Sequence, residues 1–341
     1  MVDTAVIKEK KGISGTAIKL IALAAMFIDH LAAIFFNAYL QMKIPEGLTQ
    51  EQNIAFFHDH QGIAIVNMLY ILMRLVGRFG FPLFAFLLVE GFEHTRSVKK
   101  YALNMLVFAL ISELPFDLGF SGKLFYPTYQ NVFFTLLLGL LCISGTRYFA
   151  ESRKDDVLPG PLFYASTFLA GASAAYMIFY GMWPGWVLRT IVFGEKQSWK
   201  QMLMIMGCAG LISMLIFLPL SSKWDTARKN RFTGIIIPFF VTGTIAEILM
   251  TDYSAGGVLT ILIIYILRSR RAFAFSMACL ELFLMSFSEF TAFIMLIPVK
   301  LYNGKRGKKM NKYIFYAFYP VHIGLLYILT LLMGYTSFAF R

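Results

Sequence analysis

Charged side chains are scarce in this 341-residue chain: Asp, Glu, Lys and Arg make up 15%, against 58% hydrophobic residues and a mean hydropathy of +0.66. A soluble domain of this length would have too little polar surface to cover such a core, so the composition points to a membrane protein. Cysteine is nearly absent as well. Cys142, Cys208 and Cys279 are isolated in apolar stretches without CxxC spacing, which excludes a disulfide framework and a cysteine zinc site; they are expected to pack in the core or face lipid. Long polar linkers are missing too, and no soluble module fits between the apolar runs. The chain therefore reads as one membrane domain, residues 1–341.

What is present is a series of apolar runs near the ~20 residues needed to cross a bilayer. Candidate spans are roughly 17–38, 62–94, 101–119, 131–150, 160–180, 201–220, 232–250, 254–267, 272–299 and 313–334. The net charge of +12 does not indicate nucleic acid, because the basic residues cluster in short loops beside the spans. Alternate loops hold Arg96, Lys99 and Lys100; Arg147, Arg153 and Lys154; Lys223, Arg228, Lys229 and Arg231; and Arg268, Arg270 and Arg271. The intervening loops hold little beyond Lys43, Lys123, Arg189, Lys196 and Lys200. By the positive-inside rule the N-terminus is cytoplasmic, and Met1 to Gly15, with Lys8, Lys10 and Lys11 and no small-residue cleavage site, reads as an uncleaved signal-anchor. The expected location is the cytoplasmic membrane of a bacterium.

The most basic loop, Lys300, Lys305, Arg306, Lys308, Lys309 and Lys312, should lie on that same side. Region 272–299 must then leave and return, and Ser286-Phe287-Ser288-Glu289 offers a turn between two short or re-entrant helices; the alternative is one long helix and a violated charge rule. The expected fold is an all-α bundle of ten or eleven helices. No internal repeat is visible, and the spans of segment 155–231 carry almost no ionisable residues, so the chemistry is expected elsewhere.

Ionisable side chains inside a span cost at least a few kcal/mol each unless they pair or line an aqueous cavity. Asp29 and His30 lie near the middle of the first span, and consecutive helical residues point about 100° apart, so each needs a partner from another helix. Arg74 and Arg78 share a face of the second span, where Gly77, Gly80 and Pro82 predict a kink. Asp29 paired with one arginine would leave the other for an anionic ligand or an oxyanion; the simpler reading is a helix-locking ion pair. Glu90 and His94 share a face at the cytoplasmic end of that span, Glu113 precedes Pro115 in the third, and His322 sits beside Pro320 in the last. His30 and His322 suit proton transfer; Glu113 and Glu247 suit structural roles. His58-Asp59-His60 could chelate a metal on an extended strand but lacks further ligands, and no metal is expected. In the basic loop, Asn303, Lys305, Arg306 and Lys308 with Gly304 and Gly307 read either as an orientation signal meeting anionic lipid or as a phosphate site, although no Walker loop is present.

The blocks KLIALAAMFIDH, GRFGFPLFAFLLVEGFEHTRSVKKY, ALISELPFD, NVFFTLLLGLL, DYSAGGVLTILIIY, LYNGKRGKK and YIFYAFYPVHI carry a resemblance. They are similar to the TraX family, the F-pilin acetylation proteins, and through it to the transmembrane acyltransferases that include heparan-α-glucosaminide acetyltransferase. Segment 155–231 falls outside these blocks and reads as extra helices relative to the shorter members. The resemblance implies acetyl transfer from acetyl-CoA, entering from the cytoplasm, to an amine or hydroxyl of a peptide, glycan or lipid-linked acceptor. It makes His30 the base or transient acetyl carrier, supported by Asp29, Arg78 and His322, with Arg74, Glu90, His94 and Glu113 on the substrate side. Asn303, Lys305, Arg306 and Lys308 would hold the CoA phosphates. The competing reading is a proton-coupled transporter or flippase using Asp29, His30 and Glu113.

Overall fold

A computed structural model describes residues 12–153, 155–194, 198–308 and 311–338. The signal-anchor tail before residue 12, together with Lys154, Lys196 and Lys309, lies outside the described residues. The chain is a helical bundle whose elements in order are α1 (Gly15–His30), α2 (Asn37–Lys43), α3 (Gln50–Asp59), α4 (Gln61–Gly77), α5 (Gly80–His94), α6 (Val98–Ser121), α7 (Val132–Arg147), α8 (Gly160–Tyr176), α9 (Trp183–Phe193), α10 (Trp199–Ser221), α11 (Thr226–Ile248), α12 (Ser254–Ile266), α13 (Arg271–Met285), α14 (Leu296–Lys300) and α15 (Lys312–Leu332). Among the described residues, eight helical segments are long and apolar enough to cross a bilayer. No strand forms among them; only two isolated bridges occur, Ile13 with Tyr302 and Gln130 with Thr251.

Helix starts follow side-chain capping of the first free N–H groups. Ser14 accepts from Ala17, Ser97 from Lys100, Asn131 from Phe133 and Asp225 from Arg228. α1 continues through a π-turn at Leu31–Phe36 into α2, giving one segment from Gly15 to Lys43. The expected kink at the arginines is a clean break: α4 stops at Gly77 and α5 restarts at Gly80. Pro82 then falls in the first turn of α5, where a missing N–H costs nothing.

Region 272–299 leaves and returns. α13 ends at Met285, the following Ser286 has extended backbone, and a 3-10 segment Phe287–Met295 leads into α14. The returning limb packs along α13, and the Arg271 guanidinium stands 5.1 Å from the ring of Tyr302, so both ends lie on one face of the bundle. Ser286 and Phe287 at the break are exposed, whereas Glu289, Thr291 and Ala292 of the 3-10 segment are buried against the bundle; Thr291 Oγ1 donates to the Leu75 carbonyl at 2.8 Å and ties the segment to the α4–α5 break.

The core centres on α12, whose Val258, Ile261, Leu262 and Ile264 are buried against α5, α7, α11 and α13. At about 20 Å, α12 is shorter than the hydrocarbon layer, which its protein surroundings permit. The backbone entering it is strained: Met250, Tyr253 and Ser254 have φ of 51°, 65° and 44°, held by hydrogen bonds between Gln130 and the 250–252 backbone. Cys142 and Cys279 are buried in the core, while Cys208 is exposed on α10.

Candidate active site

α1 places Thr16, Lys19, Leu23, Met26 and His30 at three- and four-residue spacing, and therefore on one face. The first four of these line a cavity of about 640 Å³, together with α5, α6, α7, α15 and the 302–308 loop, while His30 is buried one turn deeper, behind Tyr319 of the cavity wall. Lys19, His94, Arg96, Lys100, Arg306 and Lys308 give its outer part a strongly basic lining. Its inner part is apolar and aromatic, with Leu23, Met26, Leu87, Phe133 and Tyr319. Glu90 also lines it, paired with Arg271 at 3.3 Å, and His94 Nδ1 donates to the Glu90 carbonyl at 2.8 Å. Burial, with Glu90 beside it, pushes the Tyr302 hydroxyl up to about 12, so it stays a neutral donor in the wall.

His30 lies one helical turn beyond Met26, about 22 Å along α1 from Gly15. Its ring packs edge-on against Tyr319 at 5.5 Å and Phe120 at 5.7 Å. His30 Nδ1 is 2.7 Å from His322 Nε2, and His322 Nδ1 is 2.6 Å from the Phe318 carbonyl; both rings are buried. The carbonyl can only accept, so His322 carries its proton on Nδ1 and leaves Nε2 as an acceptor. His30 must then donate from Nδ1, and its Nε2 is left with a lone pair. Sequence reasoning marked both histidines but had no means of joining them, since 292 residues separate the pair.

Asp29 faces the other way. Arg74 Nη1 donates to it at 2.8 Å, and Arg78 lies 3.7 Å from its second oxygen. The arginine expected to remain free is not free: Arg78 also donates to Glu289 at 3.0 Å. Glu289 comes from the break in the re-entrant segment, where the sequence showed a polar turn and gave no hint of a partner. Tyr253 donates to the same carboxylate at 3.5 Å, and its ring stacks on Phe81. Two arginines and two carboxylates thus balance. Gly77 is required beside them, because a Cβ there would run into the Asp29 carboxylate. Asp252, also unassigned from sequence, accepts from Tyr129 at 2.6 Å in the strained turn before α12.

The remaining candidates separate by location. Glu113 accepts from the backbone and side-chain amides of Asn131, the N-cap of α7, and is not part of the cavity wall. Glu247 accepts from Ala255 N at 3.1 Å and caps α12. Of the basic-loop residues, Arg306 and Lys308 reach the cavity. Asn303 and Lys305 shape the loop instead: Asn303 bonds Gly12 and the Lys305 amide, while the Lys305 and Arg306 carbonyls accept from Gly15 and Thr16. Gly304 and Gly307 supply the positive φ that this turn needs, 77° and 80°. His58 and Asp59 close the exposed end of α3 and His60 is its C-cap, so the three do not lie on an extended strand; among the described residues no group of three or more His, Cys, Asp or Glu is placed to hold a metal.

A family model described as TraX protein matches residues 14–205 and 210–330, a region that includes most of α8–α10. The chain is 28% identical over 323 residues to a probable fimbrial assembly protein FimC, serogroup H1, of Dichelobacter nodosus, covering 92% of this chain and 94% of that protein. No solved structure matches.

Proposed function

The chain belongs to the TraX protein family, and from that premise we propose that it is a membrane-embedded acetyltransferase moving an acetyl group from acetyl-CoA to an amine or hydroxyl acceptor. The observation that carries this reading is a cavity with a basic entrance whose far wall, Tyr319, packs against the His30 imidazole, the ring of the pair that keeps a lone pair. Acetyl-CoA has matching parts, a phosphorylated nucleotide for the cations and a thin arm for the apolar stretch. The basic face is read as cytoplasmic, where the donor is available.

In the proposed reaction the acceptor gives its proton to His30 Nε2 as it attacks the thioester carbonyl. A bond from acceptor to acyl carbon forms, the C–S bond breaks, and the thiolate leaves with the proton that His30 had taken. His322 holds His30 in the required tautomer and shares the charge of the transient imidazolium. Asp29, Arg74, Arg78 and Glu289 fix the depth of α1 and the break between α4 and α5; as a neutralised cluster they position the site without touching the acyl group. Tyr319, packed against His30 in the cavity wall, offers the hydroxyl for the oxyanion. The relationship to a fimbrial assembly protein supports placing the reaction among the steps of pilus assembly, with a pilin-like peptide among the candidate acceptors.

The test is to incubate purified protein with labelled acetyl-CoA and follow saturable binding and label transfer, in parallel with His30→Ala. Retained binding with lost transfer is the expected result; absence of saturable binding rejects the proposal.

A further inference from the structure

Arg189 is one of the few cations on the face opposite the basic loops, and it belongs to α9, which joins two long helices at their far ends. The α8 segment, Gly160–Gly181 with its terminal π-turn, rises about 33 Å and α10 about 34 Å. Each is enough to cross the ~30 Å hydrocarbon layer, so α9 lies at the boundary that both reach. Two contacts hold it there. A Cβ at Gly185 would collide with the Ile178 carbonyl, so α9 sits directly on the end of the α8 segment, and Trp183 Nε1 donates to the Phe283 carbonyl of α13 at 3.1 Å. Its other side, with Trp186, Leu188, Ile191 and Val192, is exposed, as in a helix that lies along an interface with an aromatic ring at headgroup level.

The guanidinium of Arg189 stands 4.3 Å over the Tyr180 ring, which stacks on Tyr176 at 5.9 Å. Arg189 Nε and the Tyr180 hydroxyl are buried in this stack without a hydrogen bond. Residues 157–194 contain no Asp or Glu, and among the described residues no carboxylate pairs with Arg189. Glu247 reaches the stack through Tyr176, but it is engaged there and at Ala255 N. An arginine at membrane depth that the protein leaves without an anion calls for one from outside.

We propose that α9 binds an anionic phospholipid of the leaflet in which it lies, with Arg189 on the phosphodiester and the exposed apolar row against the acyl chains. The terminal N–H groups of a guanidinium match two phosphate oxygens, and the Tyr180 ring fixes the plane from which they are presented. The same surroundings select the head group. A zwitterionic head would bring an ammonium to a place that offers no carboxylate, so phosphatidylglycerol is favoured over phosphatidylethanolamine. A soluble phosphate has no chains for the apolar row to cover. The site is independent of acetyl transfer.

The experiment is native mass spectrometry of delipidated full-length protein titrated with phosphatidylglycerol, phosphatidylethanolamine and diacylglycerol of one chain composition. The wild type should hold one more phosphatidylglycerol than Arg189→Gln does, about fivefold more tightly than the other two lipids, the effect of one cation at a membrane surface. Arg189→Lys should keep most of that preference. Lys200→Gln removes an exposed cation from the adjoining end of α10 and should leave it intact. A preference that survives Arg189→Gln, or that Lys200→Gln removes equally, overturns the site, as does displacement of the lipid by glycerophosphoglycerol, which would make the ligand a soluble phosphate. Should Arg189→Gln fail to fold, brominated lipids on a Trp224→Phe background decide, because the remaining tryptophans, Trp183, Trp186 and Trp199, belong to α9 and the adjoining end of α10. Brominated phosphatidylglycerol should quench them more than brominated phosphatidylethanolamine at equal mole fraction; equal quenching overturns the proposal.

Discussion

Asp29 and His30 are neighbours in the chain and face two different environments. Asp29 enters a cluster in which two arginines and two carboxylates are mutually paired, whereas His30 enters a relay that starts at a backbone carbonyl and ends on an unprotonated nitrogen. A cluster balanced in charge serves to hold helices, although Asp29 Oδ1 and Glu289 Oε2 in it are buried without a hydrogen bond. An imidazole whose last valence is open can move a proton. In a span, the useful question about an ionisable residue is whether its partners exhaust it.

Substitutions can break this contrast in graded steps. His30→Ala should lower acetyl transfer about 1,000-fold in the fraction that remains folded, within the range for loss of a general base; full turnover in the folded fraction would place His30 with Asp29. Asp29→Ala leaves Arg74 and Arg78 short of a carboxylate and should cost about 3–5 kcal/mol of folding stability, read by unfolding in detergent, with the folded fraction retaining turnover. Glu289→Ala should behave the same way, although it lies 260 positions from Asp29. His322→Asn keeps the base and frees its tautomer; a loss of about 100-fold with a displaced pH–rate profile is expected, where a packing role would leave the profile unmoved. Arg306→Glu, at the entrance, should weaken acetyl-CoA affinity about fivefold at low salt with kcat unchanged, and the difference should shrink as salt rises.

Much of the fold was legible because hydropathy sets span length and loop charge sets sides. Those two rules together gave the re-entrant segment at 272–299, which neither gives alone, and Gly77, Gly80 and Pro82 marked the α4–α5 break. The site was legible only as a set of unpaired demands. An Asp or His at mid-depth announces that it needs a partner, yet partners 45 and 292 residues away are chosen by helix packing, which one sequence does not encode locally. Glu289 went unassigned because a carboxylate in a polar turn looks solvated until its side chain is seen buried against the bundle. Arg78 looked available for the same reason. Asn303 and Lys305 looked like ligands for phosphate because composition cannot tell a loop that grips a helix N-terminus from one that faces a cavity.

The most direct test of the central claim is cysteine accessibility along α1 in a Cys208→Ser background. Thr16→Cys, Lys19→Cys, Leu23→Cys and Met26→Cys sample the cavity face, and Leu20→Cys and Ala24→Cys sample the lipid-facing side. Labelling by a charged, water-soluble maleimide should follow the cavity face, and saturating acetyl-CoA should protect those positions at least severalfold. Labelling that ignores the face, or cavity-face labelling that acetyl-CoA leaves unchanged, would contradict the account.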